Sequence, residues 1–205
     1  MKKMLTTSLL VASVSTLGLV GCTSTTSTGA IGVDRQQLLL VSSEEVLQMS
    51  AQSYATTLQE ARAKGVLDTN TAQVNRLKGI ANRIVGQVGV YRQDAAKWNW
   101  EVHTIKSNEL NAFVMPGGKV MFYTGIIERL NLTDDEIAAI MAHEVSHALR
   151  EHSRERLSRE YATQTGIGVA ASIFGLSQGQ AQIASVAGDL GLSRPHSRTQ
   201  ESEAD

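Results

Sequence analysis

The residues His143-Glu144-Val145-Ser146-His147 form the pattern H-E-x-x-H inside a stretch with strong helical periodicity. Residues four apart lie on the same face of an α-helix, about one turn apart along its axis. Both imidazole rings therefore point to the same side and can bind one metal ion, and Glu144 lies close enough to contact a water on that metal. This arrangement is typical of zinc hydrolases, in which two histidines are ligands and the glutamate is the general base.

The sequence around this motif predicts an amphipathic helix with a clear start. Thr133 and Glu136 flank two aspartates and form a T-x-x-E capping box. Apolar residues then recur at helical spacing as far as Leu149. We therefore predict one helix from about residue 133 to about residue 158. The alternative is that the two histidines are ordinary surface or core residues that fall four apart by chance.

A second motif, Glu201-Ser202-Glu203-Ala204-Asp205, can complete a metal centre. A catalytic zinc usually has three protein ligands and one open position for water. Glu201 can supply the third ligand. Asp205, which is again four residues away, can accept the second ring N–H of a ligand histidine. Taken alone, this stretch is equally compatible with an acidic, solvated helix face.

The other histidines are weaker candidates for metal ligands. A metzincin centre needs a glycine and a histidine at the positions that Arg150 and Ser153 occupy here. His152 is offset by one residue and would point elsewhere on a continuous helix, near whose C-terminal end the dipole favours a histidine. His103 and His196 are isolated in the sequence, and we expect both to be ordinary polar or packing residues.

Together these motifs resemble those of a family of integral and periplasmic zinc metallopeptidases that includes the CAAX prenyl proteases, HtpX and the periplasmic LoiP and BepA proteins. The resemblance begins with H-E-x-x-H followed by E-x-x-A-D. Residues 111–118 resemble the family's N-A-F-x-x-P-G-G segment, and residues 123–125 resemble its Y-T-G segment. Residues 197–200 resemble the approach to the third ligand, so that the resemblance runs from about Asn70 to Asp205.

The resemblance implies a fold and an activity. The fold is a zincin-like metallopeptidase domain of the α+β class, mainly helical, with a small antiparallel sheet beside the H-E-x-x-H helix. The implied cofactor is one Zn²⁺ per chain, held by His143, His147 and Glu201, with Glu144 as the base and Asp205 as the partner of a ligand histidine. The implied activity is that of a zinc-dependent endopeptidase acting on misfolded or damaged cell-envelope proteins.

The last residues leave a second interpretation open. The chain stops at Asp205, where the family continues, so we expect an incomplete C-terminus and an oxyanion-stabilising residue further on. Glu201 would then be poorly anchored, because short helices are marginally stable in water. This favours a non-catalytic or latent chaperone or assembly factor that binds unfolded envelope proteins in the same cleft. The intact Glu144 favours the enzyme.

The first residues have the pattern of a bacterial lipoprotein signal. Lys2 and Lys3 precede an apolar stretch, and residues 19–22 read Leu-Val-Gly-Cys. By resemblance to bacterial lipoproteins, Cys22 is lipidated and anchors the chain to a membrane. Thr23, which stands where an aspartate would retain the protein at the inner membrane, indicates the periplasmic face of the outer membrane. The alternative is an ordinary signal peptide with a stray thiol.

These patterns divide the chain into three parts. Residues 1–21 are predicted to be the signal peptide, residues 22–41 a Ser-, Thr- and Gly-rich flexible tether, and residues 42–205 the metallopeptidase domain. The net charge is −1 and no basic block occurs, so nothing indicates nucleic-acid binding. The oligomeric state is not predicted.

The domain is predicted to contain further helices and three strands. Helices are expected at residues 43–63 and 70–85, and strands at residues 98–105, 112–115 and 120–123. Asn111, Ala112 and Phe113 would belong to an edge strand that pairs with an extended substrate peptide, or else to a plain structural hairpin. Residues 166–191 read as a glycine-loosened helical insert that either packs on the core or covers the cleft.

Overall fold

The computed structural model describes residues 24–26, 35–173 and 196–205. The signal peptide, Cys22 and most of the predicted insert lie outside the described residues. The helices are α1 (Ser43–Ala63), α2 (Thr71–Tyr91), α3 (Thr124–Arg129), α4 (Asp134–Leu149), α5 (His152–Ile173) and α6 (Arg198–Ala204), with a 3₁₀ helix at Gln93–Lys97. The strands are β1 (Glu101–Ile105), β2 (Ala112–Met115) and β3 (Lys119–Tyr123). This confirms the predicted α+β class with a mainly helical content.

Side-chain caps begin the first two helices. Ser42 and Glu45 form a capping box at the start of α1, which has the predicted bounds. Asn70 caps α2 through a 3.1 Å hydrogen bond from the backbone N–H of Gln73. Helix α2 continues six residues beyond the predicted end, and Val88 on this extension is buried in the core.

The sheet is mixed, with the strand order β1-β3-β2. Strands β2 and β3 form the predicted antiparallel hairpin, and its turn uses the positive φ angles of Gly117 (83°) and Gly118 (79°). Strand β1 lies parallel to β3, however, so the prediction of an antiparallel sheet is wrong for this pair. The alternation of side chains identifies a strand but carries no information about the direction of its neighbour.

The two edges of the sheet differ. The outer edge of β1 is covered by the loop between α1 and α2. In this loop the backbone N–H of Asp68 donates to the Thr104 carbonyl at 2.9 Å, and the Val66 carbonyl accepts from the backbone N–H of Lys106 at 2.8 Å. No strand in the described ranges pairs with the outer edge of β2. Because inward and outward backbone groups alternate in an antiparallel pair, and Asn111 bonds to Tyr123 of β3, Ala112 and Val114 direct their N–H and C=O groups outward.

The sheet separates two apolar layers. One face packs against α2 and α4 through alternate residues of the hairpin, and the other face packs against α1. The hydroxyl of Tyr54 on α1 donates a 2.6 Å hydrogen bond to the Val120 carbonyl, which fixes α1 to the central strand. The sheet and α2 thereby hold α4, the helix that carries H-E-x-x-H, on two sides. None of the described helices is both long enough and apolar enough to cross a membrane.

The single helix predicted from residue 133 to residue 158 is divided in two. Thr133 and Glu136 form the predicted capping box, but α4 ends at Leu149. Glu151 has a φ of 52°, in the left-handed region, and α5 begins at His152. Buried contacts stabilise this conformation, since the Glu151 carboxylate accepts hydrogen bonds from Ser43 (2.6 Å) and Arg154 (2.9 Å).

Part of the predicted tether is built into the domain. Gln37 is fully buried and Leu39 is 4% exposed. The Gln37 amide donates to the Arg150 carbonyl at 2.7 Å, and the backbone N–H of Leu40 donates to the Ser158 hydroxyl at 2.9 Å. Residues 35–41 therefore belong to the domain, because they form hydrogen bonds with polar groups of Arg150 and α5. The composition of the segment could not indicate these contacts.

Candidate metal centre

Helix α4 presents its two motif histidines to each other. The Nε2 atoms of His143 and His147 lie 3.1 Å apart, as expected for residues one helical turn apart with both rings turned to the same side. His147 is only 4% exposed, whereas the side chain of His143 retains 26% of its exposure. The pair is thus buried on one side and open on the other.

Glu201 completes a cluster of three potential metal ligands. One carboxylate oxygen lies 3.2 Å from Nε2 of His143, and the other lies 3.8 Å from Nε2 of His147. One ligand atom from each of these residues lies within 4.8 Å of the other two. We refer to His143, His147 and Glu201 as the ligand cluster. Two imidazole nitrogens and one carboxylate are the donor set of many catalytic zinc centres, so the residues fit this metal.

The carboxylate of Asp205 contacts the same cluster from outside. Its Oδ1 lies 2.9 Å from Nδ1 of His143, the ring nitrogen that points away from Glu201. This is the contact that the spacing of Glu201 and Asp205 predicts. Such a carboxylate keeps the proton on Nδ1 and leaves Nε2 as a lone-pair donor for a metal.

Glu144 follows the first histidine and is half-buried. Burial raises its pKa to about 7, an effect that the neighbouring His143 partly offsets and Glu201 reinforces. A carboxyl group whose pKa lies near neutrality can both accept and return a proton at neutral pH. The electrostatic environment of Glu144 therefore suits general acid–base chemistry.

The short helix α6 is firmly held, contrary to the expectation that Glu201 would be poorly anchored. Ser197 and Gln200 form a capping box at its start, and the Gln200 amide donates to Glu155 at 3.1 Å. Glu203, which is only 7% exposed, forms ion pairs with Arg35 and Arg150, the latter at 3.3 Å. Tertiary contacts thus replace the stability that a seven-residue helix lacks.

His152 does not point away from the metal centre, as a continuous helix would require. Residues five apart on one helix differ by about 140° in direction. The break at Glu151 turns the chain, so that Nδ1 of His152 lies 2.8 Å from Nδ1 of His147. Its other nitrogen lies 2.9 Å from Glu203. Neither contact was predicted, because both depend on a left-handed glutamate that the sequence does not signal.

The other two histidines, His103 and His196, differ in how far they match the prediction that both are ordinary polar or packing residues. His103 pairs with Asp68 at 2.6 Å on β1 and is an ordinary polar residue, as predicted. His196 is not isolated: its ring stacks on that of His147 with centroids 3.8 Å apart and an angle of 13° between the planes. His147, His152 and His196 form a second group whose nitrogens lie within 4.8 Å of one another.

Comparison with known proteins agrees with this geometry. Residues 71–205 match the family described as peptidase family M48. Metalloprotease LoiP of Escherichia coli (strain K12) is 30% identical over 203 residues, which cover 96% of this chain and 75% of LoiP. The beta-barrel assembly-enhancing protease of Yersinia pestis is 24% identical over 136 residues, which cover 65% of this chain and 27% of that protein.

Mitochondrial proteins also match part of the chain. The mitochondrial metalloendopeptidase OMA1 of Schizosaccharomyces pombe is 38% identical over 106 residues, which cover 52% of this chain and 30% of OMA1. The chain thus spans only 18% to 34% of the length of the OMA1 proteins that it matches. From the ligand cluster, the fold around it and a family match that covers more than half of its residues, we conclude that the chain belongs to peptidase family M48.

Proposed function

We propose that this protein is a zinc-dependent endopeptidase with one Zn²⁺ held by His143, His147 and Glu201. The observation that carries the proposal is the convergence of two Nε2 atoms and one carboxylate, with the half-buried Glu144 beside them. The outer nitrogen of each histidine already has a partner, which is Asp205 for His143 and His152 for His147. Such partners orient ligand histidines in metal centres.

The chemistry of peptide hydrolysis divides between the metal and Glu144. Zinc, when bound to the ligand cluster, supplies a Lewis acid that lowers the pKa of a water molecule and polarises the scissile carbonyl. Glu144 accepts the proton of the attacking water as the new C–O bond forms. It then passes this proton to the amine nitrogen as the C–N bond breaks. The raised pKa of Glu144 supports both halves of this transfer.

The substrate peptide is proposed to pair with the edge of β2, with contacts from Asn111, Ala112 and Phe113. The support is topological: β2 is an edge strand that packs on α4, and its outward backbone groups have no strand partner among the described residues. Main-chain pairing gives affinity with little demand on sequence. That property suits a protease whose substrates are recognised because they are unfolded.

We further propose that the protein belongs to the branch of LoiP-like lipoproteins, related to the CAAX prenyl protease and HtpX type, and is anchored through Cys22 at the periplasmic face of the outer membrane. The lipobox pattern and the likeness to LoiP over 96% of the chain support this. The substrates would be misfolded or misassembled envelope proteins, in keeping with the likeness to a protein named for enhancing β-barrel assembly.

The test is digestion of casein by the full chain, purified in mild detergent and loaded with zinc. Glu144→Gln should lower the cleavage rate by about 10²- to 10⁴-fold while the bound zinc remains at one per chain. Glu128→Gln, which changes an exposed glutamate on α3, is the matched control and should cleave at the wild-type rate. Failure of the wild-type chain to cleave, with one zinc bound, would instead support the latent or chaperone function.

A further inference from the structure

Three buried side chains, joined in series by hydrogen bonds, lead from the ligand cluster into the protein. Nδ1 of His147 lies 2.8 Å from Nδ1 of His152, and Nε2 of His152 lies 2.9 Å from a carboxylate oxygen of Glu203. The side chains of His147, His152 and Glu203 are 4%, 0% and 7% exposed, so bulk water does not compete for these hydrogen bonds. The three side chains therefore form a continuous, buried series of hydrogen bonds.

The carboxylate at the end of this series determines the position of every proton in it. An ionised Glu203 can only accept, so Nε2 of His152 must carry a hydrogen. A neutral His152 then has its lone pair on Nδ1, and His147 must donate to it from its own Nδ1–H. The lone pair of His147 is consequently left on Nε2, the atom that faces His143 and Glu201.

The surroundings favour the charge states that this reasoning requires. Arg35 and Arg150 form ion pairs with Glu203, and these two permanently charged guanidinium groups favour the carboxylate over the neutral acid. Two guanidinium groups thus balance the charge of an ionised Glu203, and the fully buried ring of His152 stays neutral.

We propose that Glu203 and His152 are positioning residues that fix the tautomer and ring orientation of His147 for metal binding. The proposal rests on the zinc site of the proposed function. It assigns a separate role to each acid of the E-S-E-A-D motif: Glu201 is a ligand, Asp205 supports His143 directly, and Glu203 supports His147 through His152. Glu203 lies on nearly the opposite side of the helix from Glu201, about 160° away, on the buried side where His152 lies.

A second metal ion held by His147, His152 and His196 is a less satisfactory explanation of the same contacts. The rings of His147 and His196 are stacked within 13° of parallel, so their in-plane lone pairs do not converge on one point. The 2.8 Å separation of the two Nδ1 atoms is the length of a hydrogen bond. The two explanations differ in the number of zinc ions bound per chain.

The experiment measures zinc affinity at pH 7 by competition with a chromophoric chelator, using the full chain in mild detergent. His152→Phe keeps a ring of similar size but removes both nitrogens and should weaken zinc binding by about 10- to 100-fold. His152→Asn restores an acceptor for His147 and should recover part of the affinity. His103→Phe, which breaks the His103–Asp68 pair on β1, is the matched control and should bind zinc as the wild-type chain does.

Nitrogen-15 NMR of the imidazole rings distinguishes a positioning role from a merely structural one, because it reports which ring nitrogen carries the proton. In the zinc-free wild-type chain His147 should carry its proton on Nδ1 and His152 on Nε2, whereas Glu203→Gln should give a mixture of tautomers at His147. This readout applies even if His152→Phe fails to fold.

Either of two results would overturn the positioning role without contradicting the zinc site of the proposed function. One is wild-type zinc affinity in both His152 variants, and the other is a proton on Nε2 of His147 in the zinc-free chain. Two zinc ions per wild-type chain, falling to one in His152→Phe, would also overturn it, in favour of the second metal centre. Absence of zinc binding by the wild-type chain would instead contradict the proposed function itself.

Discussion

The carboxylate of Asp205 lies 2.9 Å from Nδ1 of His143, on the side of the ring opposite Glu201. This contact ties the end of α6 to the first histidine of α4, while Glu201 on the same helix lies near Nε2 on the other side of that ring. We predict that Asp205→Ala weakens zinc binding by about 10- to 100-fold, because the ring loses the acceptor that fixes its tautomer.

Chelator competition measures this loss, with Asp94→Ala as the control. Asp94 is also an ion-paired aspartate, but its partner is Arg92, and its removal should leave zinc affinity unchanged. Equal zinc affinities for Asp205→Ala and the wild-type chain would show that the contact does not support the metal.

The ion pair of Arg35 with Glu155 should make stability depend on pH. Arg35 donates two hydrogen bonds, at 2.6 and 2.7 Å, to a fully buried carboxylate. Burial alone would raise the pKa of Glu155, but hydrogen bonds from Arg35 and its other partners lower it from 4.5 to about 2. A carboxyl whose pKa is lower in the folded state stabilises the fold above its unfolded-state pKa, and this stabilisation is lost as the pH falls toward the folded-state value.

We therefore expect the difference in unfolding free energy between the wild-type chain and Arg35→Gln to be largest at neutral pH and to shrink between about pH 4.5 and pH 2. Urea denaturation at a series of pH values measures it. Arg76→Gln, which removes a more exposed ion pair with Asp134, should have a smaller effect throughout. A difference in unfolding free energy for Arg35→Gln that is constant with pH would contradict a pH-dependent contribution of the Arg35–Glu155 ion pair.

The capping box of α4 should contribute to stability without touching the metal. Thr133 accepts a hydrogen bond from the backbone N–H of Glu136, one of the groups left unsatisfied at the helix start. Thr133→Ala should lower the free energy of unfolding by about 1 kcal/mol. Zinc affinity at a temperature where both proteins are folded should not change, and a large loss of affinity would mean that the start of α4 controls the geometry of its histidines.

The outward backbone N–H groups of β2 should be needed for substrate binding. Ala112→Pro removes one such group, and a proline is tolerated best on the open side of an edge strand. Phe113→Pro removes an inward group that bonds to β3 and should destabilise the fold instead. We expect Ala112→Pro to raise the KM for an unfolded substrate while the zinc content stays unchanged. An unaltered KM in a folded Ala112→Pro protein would exclude this edge as the substrate site.

Local patterns were sufficient to predict which side chains share a face at the candidate metal centre. The spacing in H-E-x-x-H places two rings on one face of a helix, and the spacing of Glu201 and Asp205 does the same for two carboxylates. The structure brings all four side chains together. His143 and Glu201 are 58 residues apart in the sequence, and no physical signal in the chain indicates that they meet. That expectation came from the resemblance to a family.

The surroundings of the metal centre could not be predicted in this way. His152 reaches His147 only because Glu151 adopts a left-handed conformation without being glycine or asparagine. Arg35 is 168 residues from Glu203, and nothing local marks it as a partner. The parallel pairing of β1 with β3 likewise depends on how the chain crosses the sheet.

Anomalous diffraction at the zinc absorption edge, from crystals of the zinc-loaded protein, tests the central claim most directly. We predict one strong peak per chain, bonded to Nε2 of His143, Nε2 of His147 and the carboxylate of Glu201. The absence of a peak at these atoms, or a single peak among His147, His152 and His196, would contradict the assignment of the metal centre.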